Sequence, residues 1–172
     1  MWHSADDAMK WAYSESVKSR VKMSGINNMR GGGRTTLNEL LIGLSPNERN
    51  NQAVNIIALA ASLADKASAE YIGAWYGDKR EPKHLKIIID RMFSALGTGL
   101  HNRRAVYACV QMHFGQKPSY RVIKRILHCS DTRALFVRGQ ISDALDVLHH
   151  RAISDITDCL ERRGLIHVAA CM

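Results

Sequence analysis

Ser119-Tyr120-Arg121-Val122-Ile123-Lys124-Arg125-Ile126-Leu127-His128-Cys129-Ser130-Asp131, followed by Thr132 to Leu148, spells two helices joined by a short turn. Ser119 can cap a helix, because its hydroxyl accepts from a first-turn N–H that has no partner inside the helix. Tyr120, Ile123, Ile126 and Leu127 recur at helical spacing and predict an inward face. Arg121, Lys124, Arg125 and His128 fall on the opposite face. His128 to Asp131 predicts a tight turn whose Ser or Asp caps a second helix. That helix carries Val137, Ile141, Ala144, Leu145 and Leu148 on one stripe, with Thr132, Arg133, Arg138 and Gln140 outward near its start.

Just before this stretch, His101 to Phe114 predicts a supporting helix through Ala105, Val106, Cys109 and Val110, and Gly115-Gln116-Lys117-Pro118 a turn. Upstream, Pro82 opens a helix with Leu85, Ile88, Ile89, Met92, Phe93 and Leu96 inward, ended by Gly97 and Gly99. Gly77 to Pro82 is the main polar break. Ser45-Pro46-Asn47-Glu48 is a capping box with proline at the first helical position. It predicts one long helix carrying Ala53, Ile56, Ile57, Ala60, Leu63, Ala64 and Ala67, running to Trp75 or Tyr76. At the N-terminus, Ser4 caps a helix from Ala5 to Met23, with Asp6 and Asp7 at its positive end.

These elements predict an all-α protein, a helical bundle with a C-terminal helix-turn-helix. The expected division is an N-terminal helical region, 1–98, with a Gly-rich loop at 24–34, and a second region, 99–172, holding the helix-turn-helix and a C-terminal helix. Aromatic residues are only 6% of the 172 residues, which disfavours an all-β fold. Hydrophobic residues reach 46%, enough for a core.

Charge points to the partner. The formal net charge is +8. Between His101 and Gly139 stand Arg103, Arg104, Lys117, Arg121, Lys124, Arg125, Arg133 and Arg138, against the single acid Asp131. A solvated helix face ordinarily mixes both signs. Cations almost without acids fit a phosphate-facing surface. In helix-turn-helix proteins the N-terminal residues of the second helix meet base edges. Arg reads guanine there and Gln can read adenine. The expected double-stranded DNA contacts are therefore Arg103, Arg104, Lys117, Arg121, Lys124, Arg125, Arg133, Arg138 and Gln140.

Other chemistry finds little support. No apolar run approaches the roughly 18 residues of a membrane span. The start, Met1 to Asp7, lacks a basic stretch followed by an apolar one, so no secretory signal is read and the cytoplasm is expected. Cys109, Cys129, Cys159 and Cys171 form no CxxC pair and are expected to be reduced thiols. Cys109 and His113 share a helix face, but His128-Cys129 diverge, so no metal site is expected. Gly31-Gly32-Gly33 lacks the GxxxxGK[ST] pattern and a preceding strand, and reads as a connector. His149-His150 point about 100° apart on a helix and read as rim residues. Asp143, Asp146, Asp155, Asp158 and Glu161 alternate with Arg151, Arg162 and Arg163 as a mixed solvated surface. No catalytic residue or cofactor is assigned, and no enzymatic activity is expected.

The run Phe114 to Ser130, then Val137-Arg138 and Ala144-Leu145-Asp146-Val147-Leu148, resembles the sigma region 4 type of helix-turn-helix. Two departures stand out. Arg121-Val122-Ile123-Lys124 replaces the usual acidic residue and alanine, and Arg133-Ala134-Leu135-Phe136 adds residues before Val137-Arg138. Lys10-Trp11-Ala12-Tyr13, with Ser24-Gly25-Ile26 and the glycine tract, is also similar to phage late-gene antitermination proteins of the Q type, without their preceding Trp-Gly. That resemblance implies a factor in the bacterial cytoplasm. It would bind DNA near a late promoter, engage RNA polymerase, with the sigma factor as a further candidate partner, and make polymerase read through terminators. It further implies that Arg30, Gly31, Gly32, Gly33 and Arg34 form a loop at polymerase or its RNA exit. The alternatives are an ordinary helix-turn-helix regulator, or a helical interaction module whose basic face meets an acidic protein.

Overall fold

The computed structural model describes residues 2–23, 44–77, 81–95, 102–116 and 118–166, the side chains of 17–23 and 95 aside. The protein is all-α. Its helices are α1 (Ala5–Met23), α2 (Pro46–Ala61), α3 (Lys66–Tyr76), α4 (Pro82–Ala95), α5 (Arg103–His113), α6 (Tyr120–Leu127) and α7 (Asp131–Arg162). Among the described residues there is no strand, only an isolated bridge between Trp2 and Ile166. None of their helices is long and apolar enough to cross a membrane. The glycine tract with Arg30 and Arg34, and Lys117, lie outside the described residues.

Two compact units form. One comprises 1–62 with 153–172, the other 63–152. In the first, α1 packs on α2. Ser4 caps α1, its hydroxyl accepting from the Asp7 N–H at 3.1 Å. Ala5, Ala8, Met9 and Ala12 are buried along α1. The Trp2 and Trp11 rings meet at a tilt of 39° with centroids 4.9 Å apart, and the Trp2 backbone N–H donates to the Leu165 carbonyl at 3.0 Å. The capping box of α2 is present: Ser45 Oγ accepts from the Glu48 N–H, and the Glu48 carboxylate accepts from the Ser45 N–H. These bonds to its ionised form hold the Glu48 carboxyl below its usual range.

The long helix expected from Ser45 to Trp75 or Tyr76 is broken. α2 ends at Ala61, where Ser62 Oγ donates to the Leu59 carbonyl at 2.8 Å. A new helix starts because the Asp65 side chain accepts from the Ala67 N–H at 3.0 Å. Short polar side chains offer the backbone such alternatives to continued helix, a competition the apolar spacing does not register. The break leaves Leu63 and Ala67 buried and Ala64 exposed.

In the second unit α3 packs on α4, α4 on α5 and α5 on α6. Leu85, Ile88, Ile89 and Met92 form the buried stripe of α4. The helix after the tight turn and the expected C-terminal helix are one continuous element. α7 places 131–152 in the second unit and the rest in the first. Ala134, Val137, Ile141, Leu145, Leu148, Ala152, Ile156 and Leu160 line its buried side at steps of three and four.

Candidate nucleic-acid interface

The corner between α6 and α7 is built by its turn. α6 ends at His128, which takes the left-handed conformation at φ 49° and ψ 44°. His128 and Cys129 N–H groups both donate to the Lys124 carbonyl, satisfying the end of α6. Two residues later Ser130 opens α7: its hydroxyl accepts from the Arg133 N–H at 3.3 Å, and its carbonyl from the Ala134 N–H at 3.0 Å. Three residues thus close one helix and cap the next. Such a short, doubly bonded connection fixes where the outward side chains of both helices stand.

Behind the corner, Asn102 caps α5 by accepting from the Arg104 N–H at 3.0 Å, and its amide reaches the Ile126 carbonyl at 3.5 Å. The start of α5 therefore lies at the end of α6. Ile123 is wholly buried, while Tyr120, Ile126 and Leu127 are half-buried. The inward set of α6 is as its spacing predicts.

The outward face is cationic. Arg121, Lys124, Arg125 and His128, at i, i+3, i+4 and i+7, are all exposed. With Tyr120, Cys129 and Asp131 they line an open groove of about 570 Å³. Lys124 Nζ pairs with Asp131 at 2.9 Å, so the one acid of this segment offsets one of these cations. On α7, Thr132, Arg133, Arg138 and Gln140 are exposed, as expected. Arg138 turns toward α5, sharing a small pocket with Cys109, Met112, His113 and Ser142. Arg104 is exposed, but Arg103 is held away by an ion pair to Asp90 at 2.8 Å and a stack over the Phe93 ring at 5.5 Å. The structure thus gathers Arg121, Lys124 and Arg125 in one groove and places Arg133 and Gln140 on the adjoining helix.

Two features escape a reading by spacing. Leu135 and Phe136, which the resemblance leaves as extra residues, are half exposed, and the Arg133 guanidinium lies 5.4 Å over the Phe136 ring. The offset of 135 and 136 from the 134–137–141 stripe is the signal that points to them. The second is a ring cluster of Tyr71, Trp75, His113, Phe114 and His149. His149 is therefore half-buried among rings and not on a rim, while His150 is exposed. Tyr71 Oη lies 2.7 Å from His113 Nε2. Burial, helped by Asp146, pushes the Tyr71 phenol up, so it stays protonated in this contact. Burial pulls the His113 imidazole down, against the pull of Asp146 and with the help of His149. Burial also raises the Cys109 thiol to about 11, leaving it a poor nucleophile. No three His, Cys, Asp or Glu side chains converge on a metal position among the described residues.

Of the C-terminal carboxylates, Asp143, Asp146, Asp158 and Glu161 are exposed and Asp155 is half-buried. Arg151 pairs instead with Asp65 at 3.4 Å, and Arg162 Nε donates to the backbone carbonyl of Asp158 at 3.1 Å. The chain matches no protein-family model, and no curated protein matches it at a significant level.

Proposed function

We propose that this chain binds double-stranded DNA through the α6–α7 corner, used as a helix-turn-helix, and acts in transcription. The observation that carries the reading is the groove of Arg121, Lys124, Arg125 and His128 beside the exposed start of α7. A duplex offers phosphates to α6 and base edges to α7, and the three-residue turn holds the two helices in fixed register. Arg133 and Gln140 are the base-reading side chains, and Arg138 flanks them. An acidic protein surface would also meet the cations, but it gives no role to outward Gln140.

The specific task that the sequence resemblance favours is antitermination: binding near a late promoter and converting RNA polymerase to a terminator-resistant form. Polymerase is then a second partner, engaged by surfaces other than the corner. Fluorescence anisotropy with a labelled duplex at low salt tests the DNA reading. The wild-type chain binds, and an Arg121→Glu, Arg125→Glu double variant loses most affinity while keeping its helical circular dichroism. Equal binding by the two proteins contradicts the reading. Transcription across a terminator then separates antitermination, which raises readthrough, from ordinary promoter regulation, which does not.

A further inference from the structure

Most of the outward residues at the start of α7 are polar, but Leu135 and Phe136 are not. Their exposures are 49% and 54%, whereas neighbouring Ala134 and Val137 are at 0% and 2%. Two large apolar side chains held half in water on a well-packed helix point to a partner. Thr132, Leu135, Phe136 and Gly139 share one face, and a Cβ added at Gly139 meets nothing within 4 Å, so the space over this face is open. Arg133 covers one side of the Phe136 ring and leaves the rest uncovered.

The charges around this face state what can cover it. Arg121, Lys124 and Arg125 lie in the groove beside the start of α7, and Arg133 and Arg138 lie on its first turns. Exposed acids resume at Asp143 and Asp146, two to three turns beyond Phe136. The apolar pair is therefore ringed by cations at the helix start and bounded by anions further on. An anionic partner that also presents apolar groups fits that pattern. In duplex DNA the apolar group on the major-groove edge is the C5-methyl of thymine, which aromatic and aliphatic side chains contact.

Resting on the DNA reading above, we infer that Phe136, with Leu135, is a specificity element that recognises thymine methyl groups in the major groove. The Arg133 stack holds the ring in place while its guanidinium faces phosphate or a base edge. The competing occupant is a second copy of this chain packed along the helix. It would also use Val147, which is 69% exposed and lies three full turns on, about 16 Å further along the same face. Thymine recognition has no use for Val147 at that distance.

The test compares alternating poly(dA-dT) with alternating poly(dA-dU), which carry the same charge and differ by the C5-methyl. Both bind the full-length protein with the same salt dependence, and the thymine polymer binds about fourfold more tightly for each methyl contacted, the value of one buried methylene. Phe136→Ala abolishes most of that preference and Leu135→Ala part of it. Val147→Asp changes nothing. Both alanine positions are exposed, and circular dichroism checks that the variants fold. Equal affinity of the wild-type protein for the two polymers overturns the inference and leaves the DNA reading intact. A preference that persists in both alanine variants also overturns it. Failure to bind either polymer at low salt overturns the DNA reading itself. A dimer in sedimentation that Val147→Asp dissolves identifies the face as a self-association surface and overturns thymine recognition.

Discussion

The α6–α7 corner and the ring cluster around Tyr71 lie in the same compact unit and are built in opposite ways. The corner draws its cations from a dozen consecutive residues and holds them in water. The cluster draws its rings from positions 71, 75, 113, 114 and 149, on three helices and a helix end, and Tyr71 at its centre is 1% exposed. Charge left exposed contributes little to folding, whereas buried rings contribute a great deal. If the corner binds DNA as proposed, substitutions there should move binding and spare stability, and substitutions in the cluster the reverse.

The largest effect belongs to the cluster. Tyr71→Ala removes a fully buried aromatic side chain and is expected to cost about 3–5 kcal/mol in urea unfolding. Unchanged stability would remove the contrast. At the corner, Arg133→Ala or Gln140→Ala is expected to weaken specific duplex binding by about 1–3 kcal/mol with little change in unfolding. If both variants keep full affinity and sequence preference, α7 is not the base-reading helix.

Acid acts on the ring cluster through His113. The His113 imidazole titrates below its ordinary 6.5 in the folded state, so the unfolded chain binds more protons as pH falls through that value. Stability is full above 6.5 and declines as pH drops from there toward the lower folded-state value. Urea midpoints across this window should show the decline, and His113→Gln should reduce it. A wild-type profile that rises toward acid contradicts the assignment. Smaller still is Tyr71→Phe, which forfeits only the bond to His113, about 1 kcal/mol. Smallest is Asp131→Asn. It releases Lys124 from an exposed pair worth under about 1 kcal/mol, and so tightens DNA binding while barely moving stability.

The same contrast explains which features are legible in the sequence. Helix faces are local, so the period of α4, the inward set of α6, the capping box at Ser45 and the outward Arg133 and Gln140 follow from spacing alone. The break between α2 and α3 does not, because Asp65 competes through a single hydrogen bond inside an unbroken apolar stripe. Pairing across elements is equally silent. Nothing near Arg103 announces that Asp90 holds it, and nothing near His149 announces Tyr71 and Trp75. Compactness itself is non-local here, because one unit joins 1–62 to 153–172. Leu135 and Phe136 are legible as residues off the stripe, but their exposure is a property of the folded surface.

If the cations of α6 neutralise DNA phosphates, duplex binding must weaken with salt in proportion to their number. For the full-length chain on a duplex, the logarithm of the association constant should fall linearly with the logarithm of salt concentration, with a slope of about −0.9 for each phosphate neutralised. Arg121→Ala and Arg125→Ala should each reduce the slope by about 1, and Lys124→Ala, whose cation Asp131 partly offsets, by less. Lys83→Ala, which alters an exposed lysine on α4 paired with Glu81, should leave it unchanged. A slope identical in all four variants, or no association at low salt, would contradict the account.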